Sequence, residues 1–501
     1  MSEHFISLTD AESNLLSCAA FLSERITSVD GHAEAMTAIV PLYLQKQNVD
    51  LAAELSNTVD DPYTRDRLLT LVAEKCAETA DDEYALQLAN AIEDQGLRSQ
   101  AFERVALRQA ARGEFDQARA VADTVDHFDG ILAGIAVNEV RRGLHDAANE
   151  TLAGITYPGA AVTALHEMAL ESIAAEDAEK ATGFLEKAIE KAEEIEQPEE
   201  KSRAFCDIGN GFIDAGRKDK AIESFDKAKS SAETIESMHR DMYLSLAAQG
   251  FVHAGSLELA DRTLDIVSDK TQMASALLGY SREFWKQDDR TEAIDSLEES
   301  FAVLSSQHER ETRDSRTKFR LFTQIAAQFA GFEKGERAIE IAEGIQNDAE
   351  RTSALTQIAA ILTIRDQDDE ARHALRSIAD DGDRVFALIG MSDAKEKNGD
   401  RGAAIGMLDE STALADEVPQ LTFRAAAYNE IGRRFTSFSE TEKAREVFIK
   451  SVETIAQVRD SSSQAVALAS LAQIADETGA DIESDSSLRS TLRALALRAV
   501  K

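Results

Sequence analysis

Residues 201–232 read KSRAFCDIGNGFIDAGRKDKAIESFDKAKSSA, and this stretch decides the fold. Phe205, Ile208 and Phe212 stand three and four positions apart, which places them on one face of an α-helix. Gly216 predicts the end of that helix, because a left-handed residue is needed there and glycine adopts it without a steric penalty. A second apolar stripe follows the glycine. The stretch therefore predicts two antiparallel helices joined by a short turn.

The same pattern recurs along most of the chain. Each copy carries an alanine near the start of its second helix, here called the marker alanine: Ala52, Ala85, Ala118, Ala148, Ala181, Ala221, Ala260, Ala293, Ala338, Ala371, Ala404 and Ala444. Six of the eleven spacings between them are 33 residues. A small residue stands twelve positions earlier in every unit except the first, which has Val40. Small residues facing each other let paired helices approach closely, so the recurrence predicts an all-α array of helix pairs.

Two of the units resemble tetratricopeptide repeats. The residues that fall on the W-L-G-Y-A-F-A positions of that family are Phe205, Ile208, Gly209, Phe212, Ala221, Phe225 and Ala228 in one unit, and Tyr428, Ile431, Gly432, Phe435, Ala444 and Phe448 in the other, where Ser451 replaces the last alanine. The resemblance covers roughly residues 33–480. It implies a right-handed superhelical solenoid of about twelve antiparallel helix pairs with terminal capping helices, and a partner-binding role.

The array is expected to have capped ends and one interruption. The expected divisions are an opening helix in 1–32, a first half-array in 33–304, a charged hinge or extended helix in 305–317, a second half-array in 318–480 and a basic capping helix in 481–501. Leu488, Leu492 and Leu495 would cover the last repeat. The alternative for this basic segment is a helix that docks on an acidic surface, including one of its own chain.

Acidic residues dominate the charge of the chain. It has 92 Asp and Glu against 54 Lys and Arg in 501 residues, and its formal net charge is −38. The excess is spread evenly, which favours adaptation to a salty solvent, since ~1 M salt reduces the Debye length to ~3 Å. We therefore expect a halophilic archaeon, with a moderate-salt protein that has a basic partner as the alternative. A phosphate backbone would meet a strongly negative surface, so nucleic-acid binding is not expected.

The motifs of catalysis and cofactor binding are missing from the sequence. It has no HExxH, no GxSxG and no GxxxxGK[ST] segment. Cys18, Cys76 and Cys206 are far apart and form no CxxC pair. We expect no enzyme activity, no cofactor and no metal. No stretch approaches ~18 apolar residues, so neither a membrane span nor membrane binding is expected, and the predicted location is cytoplasmic.

The resemblance also suggests a binding surface. In the family geometry, first-helix residues 18, 15, 11 and 8 positions before the marker alanine line the concave face. In the central units these include Arg203, Asn210, Gln249, Arg282, Trp285 and Arg320, with His253 and Lys286 beside them. Such donors could bind a peptide carboxylate, with Trp285 as an anchor. Asn210 matches the asparagine of the family's carboxylate clamp, but Cys206 stands at the position of its lysine. The alternative is a set of ordinary inter-helix ion pairs and a packed tryptophan.

A cation also recurs twenty positions before the marker alanine in eight units: Arg65, Arg98, Lys201, Arg240, Lys318, Arg351, Arg384 and Arg424. A cation in the first turn of a helix opposes the helix dipole, so it needs a compensating partner. We expect that partner to be a carbonyl at the end of the preceding helix or an acid of a neighbouring repeat. A ladder of ligand-binding cations is the alternative.

These features together predict a non-catalytic scaffold or adaptor that binds a protein or peptide partner, including one with an acidic C-terminus. Two other functions stay open. One is a ligand-sensing regulator with a small-molecule or peptide pocket in the central repeats. The other is a structural protein that self-associates through its basic C-terminal helix.

Overall fold

A computed structural model describes residues 4–126, 128–306 and 315–500. In this part of the chain all regular secondary structure is helical, and there is no strand. The first half of the helices are α1 (Leu8–Ala11), α2 (Leu15–Ser23), α3 (Val29–Gln45), α4 (Val49–Asn57), α5 (Pro62–Glu78), α6 (Asp82–Ala91), α7 (Gln95–Arg112), α8 (Phe115–Ala122), α9 (Asp129–Arg141), α10 (His145–Ala153), α11 (Pro158–Ala174), α12 (Ala178–Glu193), α13 (Pro198–Asp214) and α14 (Lys218–Glu233). The remaining helices are α15 (Arg240–Ala254), α16 (Leu257–Leu264), α17 (Lys270–Lys286), α18 (Arg290–Ser305), α19 (Ser315–Gly331), α20 (Gly335–Glu343), α21 (Asp348–Ile364), α22 (Asp368–Ser377), α23 (Asp381–Lys397), α24 (Arg401–Glu417), α25 (Leu421–Ser437), α26 (Thr441–Ile455), α27 (Ser461–Thr478) and α28 (Ser486–Ala499).

The helices form two compact units. Unit 1 combines Met1–Ala101 with Glu333–Lys501, and unit 2 is Phe102–Phe332. The hinge expected in 305–317 lies largely outside the described residues, because 307–314 are not described. Lys501, the last residue of the expected capping segment, is also outside them.

Repeated helix pairs build both units, as the sequence predicts. Every marker alanine lies in the second helix of a pair, from α4 to α26, and all twelve are buried. The residue twelve positions earlier always lies in the preceding first helix and is buried as well. The prediction of an all-α array of tetratricopeptide-like helix pairs is therefore confirmed.

The two glycines at this small-residue position accommodate aromatic rings. A Cβ atom at Gly209 would lie 2.6 Å from the ring of Phe225, and one at Gly432 would lie 2.5 Å from the ring of Phe448. Both rings are fully buried. Where the two helices of each of these pairs meet, a glycine of the first helix thus contacts a phenylalanine of the second. From the sequence we expected two small residues to face each other there.

The turn inside every pair has the same backbone geometry. The residue five positions before the marker alanine has a positive φ, between 56° and 91°, in all twelve pairs. Five of these residues are glycines, and the other seven are Gln47, Ala80, Glu176, Asp288, Glu333, Asp366 and Ser439. In eleven of the turns, the N–H of the residue that follows the left-handed residue donates to the carbonyl oxygen five residues before it, with N···O distances of 2.7 to 2.9 Å. This hydrogen bond closes the first helix as in a Schellman motif. The sequence predicted this left-handed residue only at Gly216.

Aspartates at one position of the repeat connect some neighbouring pairs, and two of the three, Asp66 and Asp241, are buried. Asp66, Asp129 and Asp241 each lie nineteen positions before a marker alanine and accept hydrogen bonds from two backbone N–H groups at the start of the next pair. At Asp241 the donors are Ser268 and Asp269, at 2.9 and 2.7 Å. Because the carboxylate takes up two otherwise unpaired donors, it fixes the position of the following helix.

In unit 1 the first and last helices of the sequence pack against one another. Helix α27 contacts α2 and α3, and α28 contacts α1, α2 and α26. Leu488, Leu492 and Leu495 of α28 are buried, as a covering helix requires. The opening segment expected in 1–32 contains α1, α2 and the start of α3.

Candidate partner-binding groove

Three neighbouring first helices of unit 2, α13, α15 and α17, enclose a groove of about 490 Å³. Six of the eight residues that the sequence suggested for partner binding line it: Arg203, Asn210, Gln249, His253, Arg282 and Lys286. They come together because each stands 18, 11 or 7 positions before the marker alanine of its own pair. Equivalent positions in consecutive pairs lie side by side on the same face of the array.

The other two suggested residues lie elsewhere. The indole of Trp285 stacks on the ring of Phe332 with centroids 4.0 Å apart, and the guanidinium of Arg290 lies 3.6 Å above the indole. Trp285 is thereby packed between residues of its own unit. Arg320 is exposed on α19 and is not among the residues that line the groove.

The groove carries more positive than negative charge. Arg203, Arg282 and Lys286 face Asp207 and Glu283, in a chain that is strongly acidic as a whole. The pairs among them are loose, with Arg203 3.9 Å from Asp207 and Lys286 3.3 Å from Glu283. The side chains of Arg203 and Lys286 are 75% and 69% exposed, so both cations can reach a bound molecule.

Three ionisable groups of the groove have shifted pKa values, namely Arg282, Asp207 and Cys206. Burial lowers the pKa of Arg282, whose Nε donates to Oε1 of Gln328 at 3.2 Å. This bond orients the guanidinium. Burial also raises the pKa of Asp207, although the charges of His166 and Arg203 oppose that effect. A carboxylate ligand would relieve the desolvation cost of Arg282 by pairing with it.

The sequence did not suggest the apolar part of the lining. Met242, Tyr243 and Leu246 of α15 lie beside the polar residues, and Leu246 is 41% exposed. Met242 stands 18 positions before Ala260, the same spacing that selected Arg203. A search for apolar as well as donor residues at that spacing could have found it. The groove therefore combines cations with an apolar surface, which is formed by Met242, Tyr243 and Leu246 and is here called the apolar shelf.

A glycine makes space for one polar group of the groove. A Cβ atom at Gly279 would lie 2.4 Å from Oε1 of Gln249, so a side chain there would displace the amide. The amide of Gln249 also donates to the hydroxyl of Ser245 at 3.4 Å. The side chain of Gln249 is thus positioned by Ser245 of α15, to which it donates, and by the space that Gly279 leaves on α17.

The groove is also lined by a buried thiol, that of Cys206. Burial raises the pKa of Cys206 to about 12, so the thiolate that nucleophilic chemistry requires is scarce at neutral pH. Among the described residues no group of three or more His, Cys, Asp or Glu side chains is placed to hold a metal ion. The charged and amide side chains of the groove can form hydrogen bonds and ion pairs with a bound molecule.

The recurrent cations of the first turns mostly contact their own array. Four of them donate to a carbonyl at the end of the preceding second helix: Arg98 to Ile92, Lys201 to Glu193, Arg351 to Ile345 and Arg424 to Val418, at 2.7 to 3.4 Å. Arg65 lies 3.2 Å from the carboxylate of Glu93. At these five positions the predicted structural contact is confirmed.

A larger cavity of about 590 Å³ lies between α8, α9 and α10. Its buried acid, Glu139, stands nine positions before a marker alanine, where five other pairs carry phenylalanine. One carboxylate oxygen pairs with Arg119, and the other accepts from the hydroxyl of Thr151 at 2.8 Å. Both oxygens of this carboxylate are therefore already occupied by neighbouring side chains.

Among known proteins, the chain shows likeness only to solved structures. No protein-family model matches the sequence, and no curated protein matches it. Among solved structures, Ton1535 from Thermococcus onnurineus NA1 covers 74% of this chain and 98% of its own length, with 16% identity and a TM-score of 0.27. The yeast Tom70 covers 91% and 98%, with 13% identity and a TM-score of 0.27. The apo quorum sensor NprR from B. thuringiensis covers 64% and 99%, with 12% identity and a TM-score of 0.26. Since these scores lie below 0.5, the fold assignment rests on the helix pairs themselves.

In the described residues, no helix is both long enough and apolar enough to cross a bilayer.

Proposed function

We propose that this protein is a non-catalytic scaffold that binds a protein or peptide partner in the groove of α13, α15 and α17. The observation that carries the proposal is that Arg203, Arg282 and Lys286 converge beside an exposed leucine in a chain with a net charge of −38. Cations that face an apolar shelf suit a peptide with a carboxylate, such as an acidic C-terminus, and an apolar side chain.

In this proposal the residues have different roles. The guanidinium groups of Arg203 and Arg282 bind the carboxylate, while Asn210 and Gln249 donate to the peptide backbone. Leu246 receives the apolar side chain. Trp285 supports α17 from behind, through its stack on Phe332, and Arg320 is available to a longer peptide.

The test is a titration of an acidic C-terminal peptide against wild type and Arg282→Glu. We expect the charge reversal to weaken binding by about 10- to 100-fold, because a charge-assisted hydrogen bond contributes ~1.5–3 kcal/mol. Arg262→Glu is the matched control, since Arg262 is 66% exposed on α16 and is not among the groove residues. Equal affinities of wild type and Arg282→Glu would overturn the proposed site.

The size of the groove favours a second candidate function. A volume of about 490 Å³ lies within the ~300–1,000 Å³ typical of small-molecule pockets. The chain would then be a regulator that senses a small organic anion. Ligand-dependent melting, measured with a panel of mono- and dicarboxylates, would reveal it, and a melting temperature that no anion raises would argue against it.

We also propose a salty cytoplasm as the setting, and a halophilic archaeon as the source. The even distribution of acidic residues along the chain supports this. Screening would then offset the mutual repulsion of the carboxylates, so the dependence of folding stability on KCl concentration tests this directly.

A further inference from the structure

Helices α2, α3, α27 and α28, here called the clasp, join segments that are distant in sequence. Ser462 at the start of α27 donates to the carboxylate of Glu34, 428 residues away, at 2.7 Å. The N–H of Leu15, at the start of α2, donates at 2.9 Å to the carboxylate of Glu483, which follows α27.

The geometry of the clasp is that of the ordinary repeat. A Cβ atom at Gly31, near the start of α3, would lie 3.3 Å from Cβ of Ser462, near the start of α27. At the other end of these helices Lys46 lies 2.6 Å from Asp476. Helices α3 and α27 therefore run parallel, like two consecutive first helices. Helix α2 starts where α27 ends and supplies the second helix of the pair that α27 begins.

The clasp differs from the other pairs in how it is connected. In an ordinary pair a turn of a few residues joins the two helices, whereas α2 and α27 meet only when a loop of more than 400 residues closes. The intervening residues are folded helix pairs, so the cost of closure is that of fixing the two ends of the array against each other, which a pair joined by a short turn does not bear. Apolar burial favours every pair, but this entropic cost opposes only the clasp.

Charge also opposes closure of the clasp. The segment 461–499 carries five carboxylates and three arginines, and the segment 8–46 carries five carboxylates, one arginine and one lysine. Both segments are therefore negative. The two ion pairs that join them, Lys46 with Asp476 and Arg493 with Glu12, are partly exposed and contribute little. Salt weakens the repulsion between the segments, because the Debye length falls from ~30 Å at 0.01 M to ~3 Å at 1 M.

We propose that the clasp opens and closes reversibly, before any local helix pair opens, and that rising salt closes it. In a repeat array each pair contacts only its neighbours, so one contact can open while the others persist. Unit 1 thus has two states, whose populations depend on the ionic strength of the solvent.

Natural cysteines test this in the full chain without any substitution. Cys18 lies in α2 and Cys76 lies in α5, an ordinary first helix of the same unit, and both side chains are fully buried. The protein is exposed to iodoacetamide at KCl concentrations from about 0.05 to 2 M, and each labelled cysteine is quantified by mass spectrometry. We expect Cys18 to react about tenfold faster at the lowest salt than at the highest, while Cys76 changes little.

Two results would overturn the proposal. One is labelling of Cys18 that does not depend on KCl. The other is a parallel increase at Cys18 and Cys76 as salt falls, because the whole of unit 1 would then be unfolding. Slow labelling of Cys76 under all conditions together with salt-dependent labelling of Cys18 would support the clasp.

An engineered pair of cysteines provides a second measurement. Gly31→Cys with Ser462→Cys links α3 to α27, and Gly390→Cys with Ala360→Cys links the consecutive first helices α23 and α21, where the Cβ separation is 3.8 Å. With oxidised glutathione as the oxidant, we expect the first disulfide to form several-fold more slowly at about 0.05 M KCl than at about 2 M. The second should form at a similar rate in both. Equal salt responses of the two disulfides would contradict the proposal.

A charge reversal refines the mechanism. Lys46→Glu faces Asp476 with a like charge and should slow the 31–462 disulfide further at low salt. Lys450→Glu, which disrupts a similarly exposed pair with Asp416 inside the local array, should leave that disulfide unaffected. If Lys450→Glu slowed it as much as Lys46→Glu, net charge alone would explain the effect and the clasp would not be a distinct element.

Discussion

At the scale of single residues, the left-handed residue in each turn is the most regular feature of the chain. A side chain with a Cβ atom costs ~1–2 kcal/mol in this conformation, and glycine does not. Seven of the twelve turns nevertheless carry another residue. Those seven turns hold strain that the packing of the two helices offsets.

Ala80 provides a direct test of this strain. It is exposed and has φ 65°, so Ala80→Gly should stabilise unit 1 by up to about 1 kcal/mol, reduced by the greater entropy of glycine in the unfolded chain. The reverse change, Gly143→Ala, should destabilise unit 2 by about 1 kcal/mol, because φ is 78° there and no atom crowds the new Cβ. Urea unfolding followed by circular dichroism measures both. Opposite signs are expected, and two changes of the same sign would refute the explanation.

The buried carboxylate of Asp241 should make stability depend on pH. Burial raises its pKa, but the hydrogen bonds from Ser268 and Asp269 and the charge of Arg240 outweigh that effect and leave the pKa below its usual value. Asp241→Asn should therefore cost about 1.5–3 kcal/mol at neutral pH. The folded-state pKa of Asp241 lies below the unfolded value of ~3.9. The stability difference between wild type and Asp241→Asn is therefore fully present above about pH 5, and it disappears as the pH falls through the folded-state pKa.

Urea unfolding at a series of pH values checks this expectation. Asp261→Asn, which alters an exposed acid on α16, is the control and should change stability by less than about 0.5 kcal/mol. A loss at Asp241→Asn that stayed constant down to pH 2 would show that the carboxylate charge is not responsible.

At the scale of the helix pair, the contact of Gly209 with Phe225 sets the distance between α13 and α14. A Cβ at position 209 would lie 2.6 Å from a ring that is itself fully buried, so Gly209→Ala should cost about 1–3 kcal/mol. Gly183→Ala in α12 is the control, because nothing lies within 4 Å of its added Cβ and alanine favours a helix. Thermal unfolding should give a lower Tm for the first variant and an equal or higher Tm for the second.

The helix pairs were predictable because their apolar and small residues repeat within short stretches of sequence. Ala221 and Gly209 belong to the same helix pair, so periodicity alone assigns both residues to the core of that pair. The turns were less predictable, because seven left-handed residues such as Glu176 carry no glycine signal. The pairing of α2 with α27 was not predicted either. Its one local sign is that α2 is apolar on nearly every face, which is typical of a fully enclosed helix.

The groove was predictable for a related reason. Positions such as Asn210 and Arg282 recur in the repeat, so the register alone places them on one face. The position of Trp285 was not predictable, because its stacking partner Phe332 stands six positions before Ala338, where ten of the twelve pairs carry no aromatic residue. The contact of Arg282 with Gln328 likewise depends on where α19 packs.

At the scale of the whole molecule, the net charge of −38 should make stability increase with salt. Mutual repulsion of the carboxylates destabilises the folded chain when the Debye length is ~30 Å, and this repulsion is screened at ~1 M salt. We expect the free energy of unfolding to rise between about 0.1 and 2 M KCl, measured by urea denaturation at each concentration. Greater stability at low salt would remove the high-salt interpretation.

A neutral osmolyte separates screening from preferential exclusion. Sucrose also favours the compact state, but it does so without screening charge. At matched water activity, KCl should stabilise the chain clearly more than sucrose does. Equal stabilisation by the two solutes would mean that charge repulsion is not what chiefly destabilises the chain at low salt.

The pairing of α2 with α27 has a consequence for synthesis on the ribosome. Leu15, Leu16 and Phe21 of α2 are translated more than 400 residues before the helix that completes their burial. At ~5–20 residues per second this interval lasts roughly 20 to 90 seconds. During this interval the nascent polypeptide exposes the apolar helix α2 without the helix that buries it. Such a segment is of the kind that chaperones bind until translation is nearly finished.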